Sequence, residues 1–167
     1  MIRKGGWDKV VLQGHRHEPL DEPDDFFAAA EELAEEARNI GAETIFFQTY
    51  PYAKGYYAYE KEPCLGGNPT EMQIRISAAY AKAAEQTGAR VARVGDAWLW
   101  MLNNNPEIEL YSSDMIHPSV CGSYLTACIF VSLLTDRDPC AATWIPSKGM
   151  TEAEAKVLRS VAKEFAY

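Results

Sequence analysis

Short continuous apolar runs alternate along this chain with longer stretches in which apolar residues recur every three or four positions. The run Val10-Val11-Leu12 within residues 7–13 predicts a strand of the kind buried on both faces of a parallel sheet. Pro23-Asp24-Asp25 then opens a helix, its acidic residues placed at the positive end. Phe26, Phe27, Ala30, Leu33, Ala37 and Ile40 form its apolar stripe, and Gly41 ends it. Residues 43–48, rich in β-branched and aromatic side chains, predict a second strand. A long loop follows over about 50–69 and carries Tyr50, Tyr52, Tyr56, Tyr57 and Tyr59.

Thr70-Glu71-Met72-Gln73 fits a capping box for a helix that packs through Met72, Ile76, Ala79, Tyr80 and Ala83 and closes at Gly88. Residues 90–94 predict a third strand, and 97–102 a short helix broken by Asn103-Asn104-Asn105-Pro106. From Ser119 a helix runs that is apolar nearly all round and hence buried. Thr151-Glu152-Ala153-Glu154 is a second capping box, starting a last helix that packs through Leu158, Val161 and Phe165. Strand and helix alternating in this way predict one α/β domain over residues 1–167, with a parallel sheet and right-handed crossovers. Three strands are few for such a sheet, and the first is as apolar as a central strand although it stands at the start of the chain. A sheet neighbour in front of it is therefore expected, or else a second copy pairing with the exposed edge as a homodimer.

Composition adds exclusions. Of 167 residues, 47% are hydrophobic and 24% charged, as in ordinary globular proteins, and the formal net charge of −8 argues against a nucleic-acid partner. No apolar run suits a membrane span, and no apolar stretch follows Arg3 and Lys4 to make a signal peptide. As written the chain reads as cytoplasmic, while a longer form could be exported. Cysteines 64, 121, 128 and 140 lack C-x-x-C spacing and read as free thiols.

The candidate chemistry lies in Asp114-Met115-Ile116-His117-Pro118-Ser119. A carboxylate three residues before an imidazole can accept from one ring nitrogen and leave the other outward, which orients the ring as a general base. The alternative is an Asp that caps the next helix and a His that packs near it. No nucleophile accompanies the pair: Ser112, Ser113, Ser119 and Cys121 are close in sequence, but none sits on a glycine-flanked strand-to-helix turn. Ser119 reads as a helix cap and Cys121 as a buried thiol. His15-Arg16-His17-Glu18 invites a metal reading, but His117 is the only other histidine, so polar residues on an exposed loop are favoured and no metal is assigned. The tyrosine loop is either a stacking platform for a sugar or aromatic acyl group or a self-packed cover for the core.

Asp114-x-x-His117-Pro118-Ser119 followed by Gly122-Ser123-Tyr124-Leu125 resembles the last block of the SGNH (GDSL-like) hydrolases. The strand Val10-Val11-Leu12-Gln13, the pair Met72-Gln73 and Val94-Gly95-Asp96-Ala97-Trp98 resemble an uncharacterised bacterial branch of that family, so the similarity spans nearly the whole chain. The resemblance implies a flavodoxin-like three-layer sandwich with its site at the carboxyl ends of parallel strands, here reduced to about three strands and four or five helices. It implies ester hydrolysis, of acetyl or other acyl groups and possibly on carbohydrate, by a serine, with His117 as base and Asp114 as its orienting partner. It implies no cofactor. The family's Gly-Asp-Ser motif and oxyanion-hole glycine have no match in this sequence, in keeping with the missing sheet neighbour. On this resemblance the chain starts at the family's third strand and is inactive alone. At the strand end where the family places an oxyanion asparagine stand Gln13 and His15, the available substitutes. A non-catalytic remnant or binding module of the same fold is the alternative.

Overall fold

In the computed structural model, which describes residues 1–15 and 17–166, strands β1 (Lys9–Leu12), β2 (Glu43–Phe47) and β3 (Arg90–Ala92) form one sheet in that order, all parallel. Arg16 lies outside the described residues. The helices, in chain order, are α1 (Glu18–Asp21), α2 (Pro23–Asn39), α3 (Ala58–Lys61), α4 (Pro69–Thr87), α5 (Val94–Asn104), α6 (Val120–Thr135) and α7 (Glu152–Phe165). Five are long, as expected, and two are single turns.

The central strand sets the layering. Successive residues of a strand point to opposite faces, and Ile45 and Phe46 are both buried but belong to different cores. Phe46 packs with Phe26 of α2 and with Met72, Ile76 and Tyr80 of α4. Ile45 packs in a core built from α5, α6 and α7, with Trp98, Leu125, Ile129 and Leu158 at its centre. Helices thus cover both faces of a parallel sheet, giving the expected flavodoxin-like sandwich with three strands. At the amino ends of the strands Glu43 binds Lys9 on one side and Arg90 on the other, closing the end away from the cleft described below.

Several local expectations change. The first strand is not buried on both faces: Val11 lies opposite Ile45 in register yet is 44% exposed. Helix α2 packs on β1 from one side, but the α5–α7 layer is centred on β2 and β3, so the Val11 face is left open. Among the described residues nothing pairs with the outer edge of β1. Helix α4 is capped by Asn68, whose side chain accepts from the Glu71 N–H at 3.0 Å, and not by Thr70. Asn is as good a cap as Thr, and Pro69 is pre-organised for the first helical position. The third strand stops at Ala92, because Val94 already starts α5, three residues before the expected 97–102 segment. The expected 50–69 loop contains α3 and a 3₁₀ turn, Pro63–Leu65.

Two helix starts stand where the sequence places them. Ser119 caps α6 by accepting from Gly122 N–H, and Thr151 and Glu154 complete a reciprocal capping box on α7. Among the described residues no helix is long and apolar enough to cross a membrane; most of the apolar surface of α6 packs within the domain, while Val120 and Val131 stay exposed.

Candidate active site

The Asp114–His117 pair sits at the tip of a tight loop. Tyr111 and Pro118 form an antiparallel bridge, and Ser112 N–H donates to the His117 carbonyl at 2.8 Å. Met115 turns the chain with φ +66°, a left-handed conformation that a side chain seldom adopts without local support. Asp114 supplies that support. Its Oδ1 accepts from the N–H groups of Ile116 at 3.0 Å and His117 at 2.9 Å, while Oδ2 lies 2.6 Å from His117 Nδ1. The expected contact between carboxylate and ring is present, whereas the alternative fails: Asp114 caps its own turn, and α6 is capped by Ser119. With the carboxylate ionised, Nδ1 is the donor and Nε2 is the basic nitrogen left to meet a ligand. The imidazole is 73% exposed.

The His117 ring, followed by the Ile116 and His117 N–H groups, holds the Asp114 carboxyl down at about 2. A depressed carboxyl favours the folded loop at any pH above its ordinary value near 4, and that contribution is lost as pH falls through about 2. A carbon-detected titration of the Asp114 carboxyl is expected to show a midpoint near 2, with the Ile116 and His117 amide shifts moving together with it. A midpoint at the ordinary carboxylate value would mean that the loop does not hold this geometry in solution.

His117 opens onto a cleft of about 730 Å³ at the carboxyl ends of the strands. Gln13 and His15, just past β1, line it from one side; Phe47, Thr49 and Tyr50, at the end of β2, line it from behind; Ser123, Thr126 and Ala127 of α6 lie along another wall. The structure thus brings all of His117, Gln13 and His15 to one cavity, with Asp114 behind His117. No hydrogen bond joins Gln13 or His15 to His117, and the His15 N–H donates to Glu18 at 2.7 Å. The tyrosine loop is self-packed, as one of the two expectations has it. Tyr50 stacks on Trp98 at 3.9 Å, Ala53 N–H donates to the Met115 carbonyl at 3.0 Å, and the Tyr111 hydroxyl donates to Pro51 O at 2.7 Å. The loop is therefore self-packed and tied to the Asp114 turn. Yet Tyr50, Tyr52, Tyr56 and Tyr57 all line the cleft, from nearly buried Tyr52 to Tyr57 at 58% exposure.

No protein-family model matches the sequence, and no curated protein matches it. Among solved structures, a candidate SGNH hydrolase from Slackia heliotrinireducens is 32% identical, with a TM-score of 0.65 over 75% of this chain and 65% of that one. The chain is similar to that SGNH-type structure in both sequence and fold. A DUF4886 family protein from Bacteroides uniformis shares the fold at 22% identity and a TM-score of 0.79, over 98% of this chain and 63% of that one. The chain spans somewhat less than two thirds of the length of either structure.

The SGNH-like blocks of the sequence converge in space. Gln73 of α4 donates to Ser77 Oγ at 3.2 Å, Ser77 donates to Asp96, and the Asp96 N–H donates to Gln48 Oε1 at 2.9 Å. Arg93 binds the second oxygen of Asp96. This network fixes the exit of β2, from which Thr49 and Tyr50 reach the cleft. Gly95 makes it possible, since a Cβ there would fall on the Thr49 carbonyl oxygen and the Gln73 amide. An interior helical glycine normally gains from alanine. Here Gly95→Ala is expected to destabilise by about 1–3 kcal/mol through overpacking, read as a shift in urea midpoint. Sequence reasoning named Gly95 and Gln73 as part of the resemblance but had no signal for Gln48, whose partners are distant in the chain.

Ser113 is exposed on the turn, and the other nucleophile candidates close to His117 in sequence are engaged elsewhere or buried. Ser119 Oγ donates to Glu109 O at 2.7 Å, Ser112 Oγ donates to Pro118 O at 2.9 Å, and Cys121 is buried. All four cysteines are free, and burial pushes the Cys128 thiol up to about 11. Ser123, which sequence reasoning passed over as a nucleophile, is exposed on the cleft but sits inside α6, not on a strand-to-helix turn. One expectation fails for a neighbouring residue. His17 is not on an exposed loop; it is buried, with Nδ1 2.7 Å from the Tyr52 hydroxyl, because α1 folds the segment back under the tyrosine loop.

Proposed function

We propose that the cleft is the base side of an SGNH-type ester hydrolase site. The observation that carries this reading is the 2.6 Å contact from Asp114 Oδ2 to His117 Nδ1, which leaves Nε2 as the basic nitrogen at a cleft on the carboxyl ends of parallel strands. In this reading His117 Nε2 takes the proton of an attacking serine hydroxyl, and Asp114 fixes the tautomer and stabilises the imidazolium. The same imidazolium then gives the proton to the leaving alkoxide, and a second cycle with water frees the acyl group. Gln13 and His15, on the wall facing the attacked carbonyl, are the candidate donors to its developing negative charge. The tyrosines along the cleft favour an acyl or acetyl ester on a carbohydrate, since aromatic rings offer stacking faces to sugars.

The attacking serine is, on this proposal, supplied from outside these 167 residues, so the chain by itself is inactive. A fluorophosphonate probe with intact-mass readout tests this. The expected result is no labelling of the folded 167-residue chain, and labelling of a serine in the protein expressed from its natural locus with any flanking coding sequence, abolished by His117→Ala. Labelling of the 167-residue chain itself, lost on Ser123→Ala, would place the nucleophile within α6 instead. Absence of labelling in every form, together with binding of sugars to the tyrosine wall by calorimetry, would favour the second reading, a non-catalytic binding module of the same fold.

A further inference from the structure

We propose that His17, Glu62 and Cys64 form a binding site for one divalent transition-metal ion of the zinc class, separate from the ester site and independent of that reading. One donor atom from each residue lies within 4.8 Å of the other two. Glu62 Oε2 is 2.7 Å from His17 Nε2, and Asp21 Oδ2 is 3.3 Å from the same nitrogen, making Asp21 the available fourth donor. Glu62 Oε2 is buried and accepts no hydrogen bond; its close neighbour is the His17 ring nitrogen, which pairs with it as an ion only when the ring is protonated. A buried carboxylate oxygen in that state is unsatisfied by the protein, and a cation between it and Nε2 would satisfy both.

The other side of the ring is arranged as in a metal-binding histidine. Nδ1 is 2.7 Å from the Tyr52 hydroxyl, which fixes the ring and turns Nε2 toward the carboxylates. The donor set of imidazole, thiol and carboxylate fits zinc, whereas magnesium and calcium prefer oxygen alone. Tetrahedral zinc, with bonds of about 2.0–2.3 Å, spaces its ligands roughly 3.3–3.8 Å apart, so these donors need to move by about an ångström. The groove around them carries Glu18, Asp21, Glu22 and Glu62 against Lys61, a balance that favours a cation. His17 is the residue just before α1 and Asp21 is its last, while Glu62 and Cys64 flank Pro63 in the turn after α3. A bound ion would therefore clamp two short segments that are otherwise single turns. Through Tyr52 it would also hold one wall of the cleft.

Cobalt titration of the metal-free protein tests the site with a readout that needs no activity. A thiolate-to-cobalt charge-transfer band is expected, saturating at one equivalent per chain and bleached by added zinc. Cys64→Ser is expected to abolish the band, whereas Cys140→Ser, at an exposed thiol elsewhere, leaves it unchanged. Glu62→Gln is expected to weaken cobalt binding by about ten-fold or more with an unaltered circular dichroism spectrum. No band in the folded wild-type protein, a band that survives Cys64→Ser, or wild-type affinity in Glu62→Gln would overturn the proposal and leave an ordinary His–Glu pair beside a free thiol.

Discussion

Replacing Trp98 with alanine is expected to remove about 3–5 kcal/mol of stability, the largest single loss anticipated in this chain. Trp98 is fully buried at the centre of the core shared by α5, α6 and α7. Its ring is the surface against which Gly122 brings α6, since a Cβ at Gly122 would run into the indole and the Leu110 carbonyl. Tyr50 stacks on it at 3.9 Å with the rings nearly parallel, and Tyr111 meets it edge-on. Truncation therefore leaves a cavity that neither α6 nor the tyrosine loop can fill without losing its own contacts. Against a total of roughly 5–15 kcal/mol for a domain, such a loss is severe. Urea unfolding followed by circular dichroism reads it as a fall in midpoint at constant slope. Trp144, 70% exposed, is the control: Trp144→Ala is expected to change stability by about 0.5 kcal/mol or less. Equal effects at the two positions would contradict the assignment of the core.

The contrast between those tryptophans shows where the sequence speaks. Trp98 falls in the short apolar segment ahead of Asn103-Asn104-Asn105-Pro106, where the sequence predicts a helix, and that much of its setting is legible. The caps of α6 and α7 are equally legible, because Ser119 and Thr151 each act on the N–H group three residues on. Local rules decide local geometry. They placed the cap of α4 at Thr70, two residues late, because Asn68 is an equally good cap and Pro69 suits the first helical position. They also misjudged Val11. Its apolar run is that of a central strand, but burial depends on which helices lie over it, and that is settled by the distant packing of α5, α6 and α7 on the other two strands.

The candidate site divides in the same way. Asp114 and His117 are three positions apart, so their contact could be inferred from spacing alone. The support beneath the cleft could not. Gln48, Gln73, Ser77 and Asp96 come from three elements and meet only because β2, α4 and α5 are adjacent in the fold. His17 is the sharper case. Its neighbours Glu62 and Cys64 lie beyond α2 and β2, and a search for further histidines near it in sequence could not find them.

Asp114→Asn is expected to lower ester turnover by about 10²–10⁴-fold in the serine-bearing form that the fluorophosphonate experiment identifies. The effect should come through chemistry and not through folding. Asparagine keeps an oxygen that can still accept from the Ile116 and His117 N–H groups, so the Met115 turn is retained. What changes is the contact at His117 Nδ1. The amide can present its NH₂ group there, which drives the proton to Nε2, and an imidazole protonated at Nε2 cannot accept from an attacking hydroxyl. Any imidazolium that does form also loses the negative charge beside it. His117→Ala should cost a similar factor, and the double variant should be no slower than the worse single one, because the two residues act as a unit. A thermal melt of Asp114→Asn close to wild type, combined with a fall in kcat and little change in KM, is the pattern expected of an orienting carboxylate. Equal losses in stability and activity, with KM rising, would reduce Asp114 to a loop residue. Wild-type turnover in His117→Ala would remove the imidazole from the mechanism altogether.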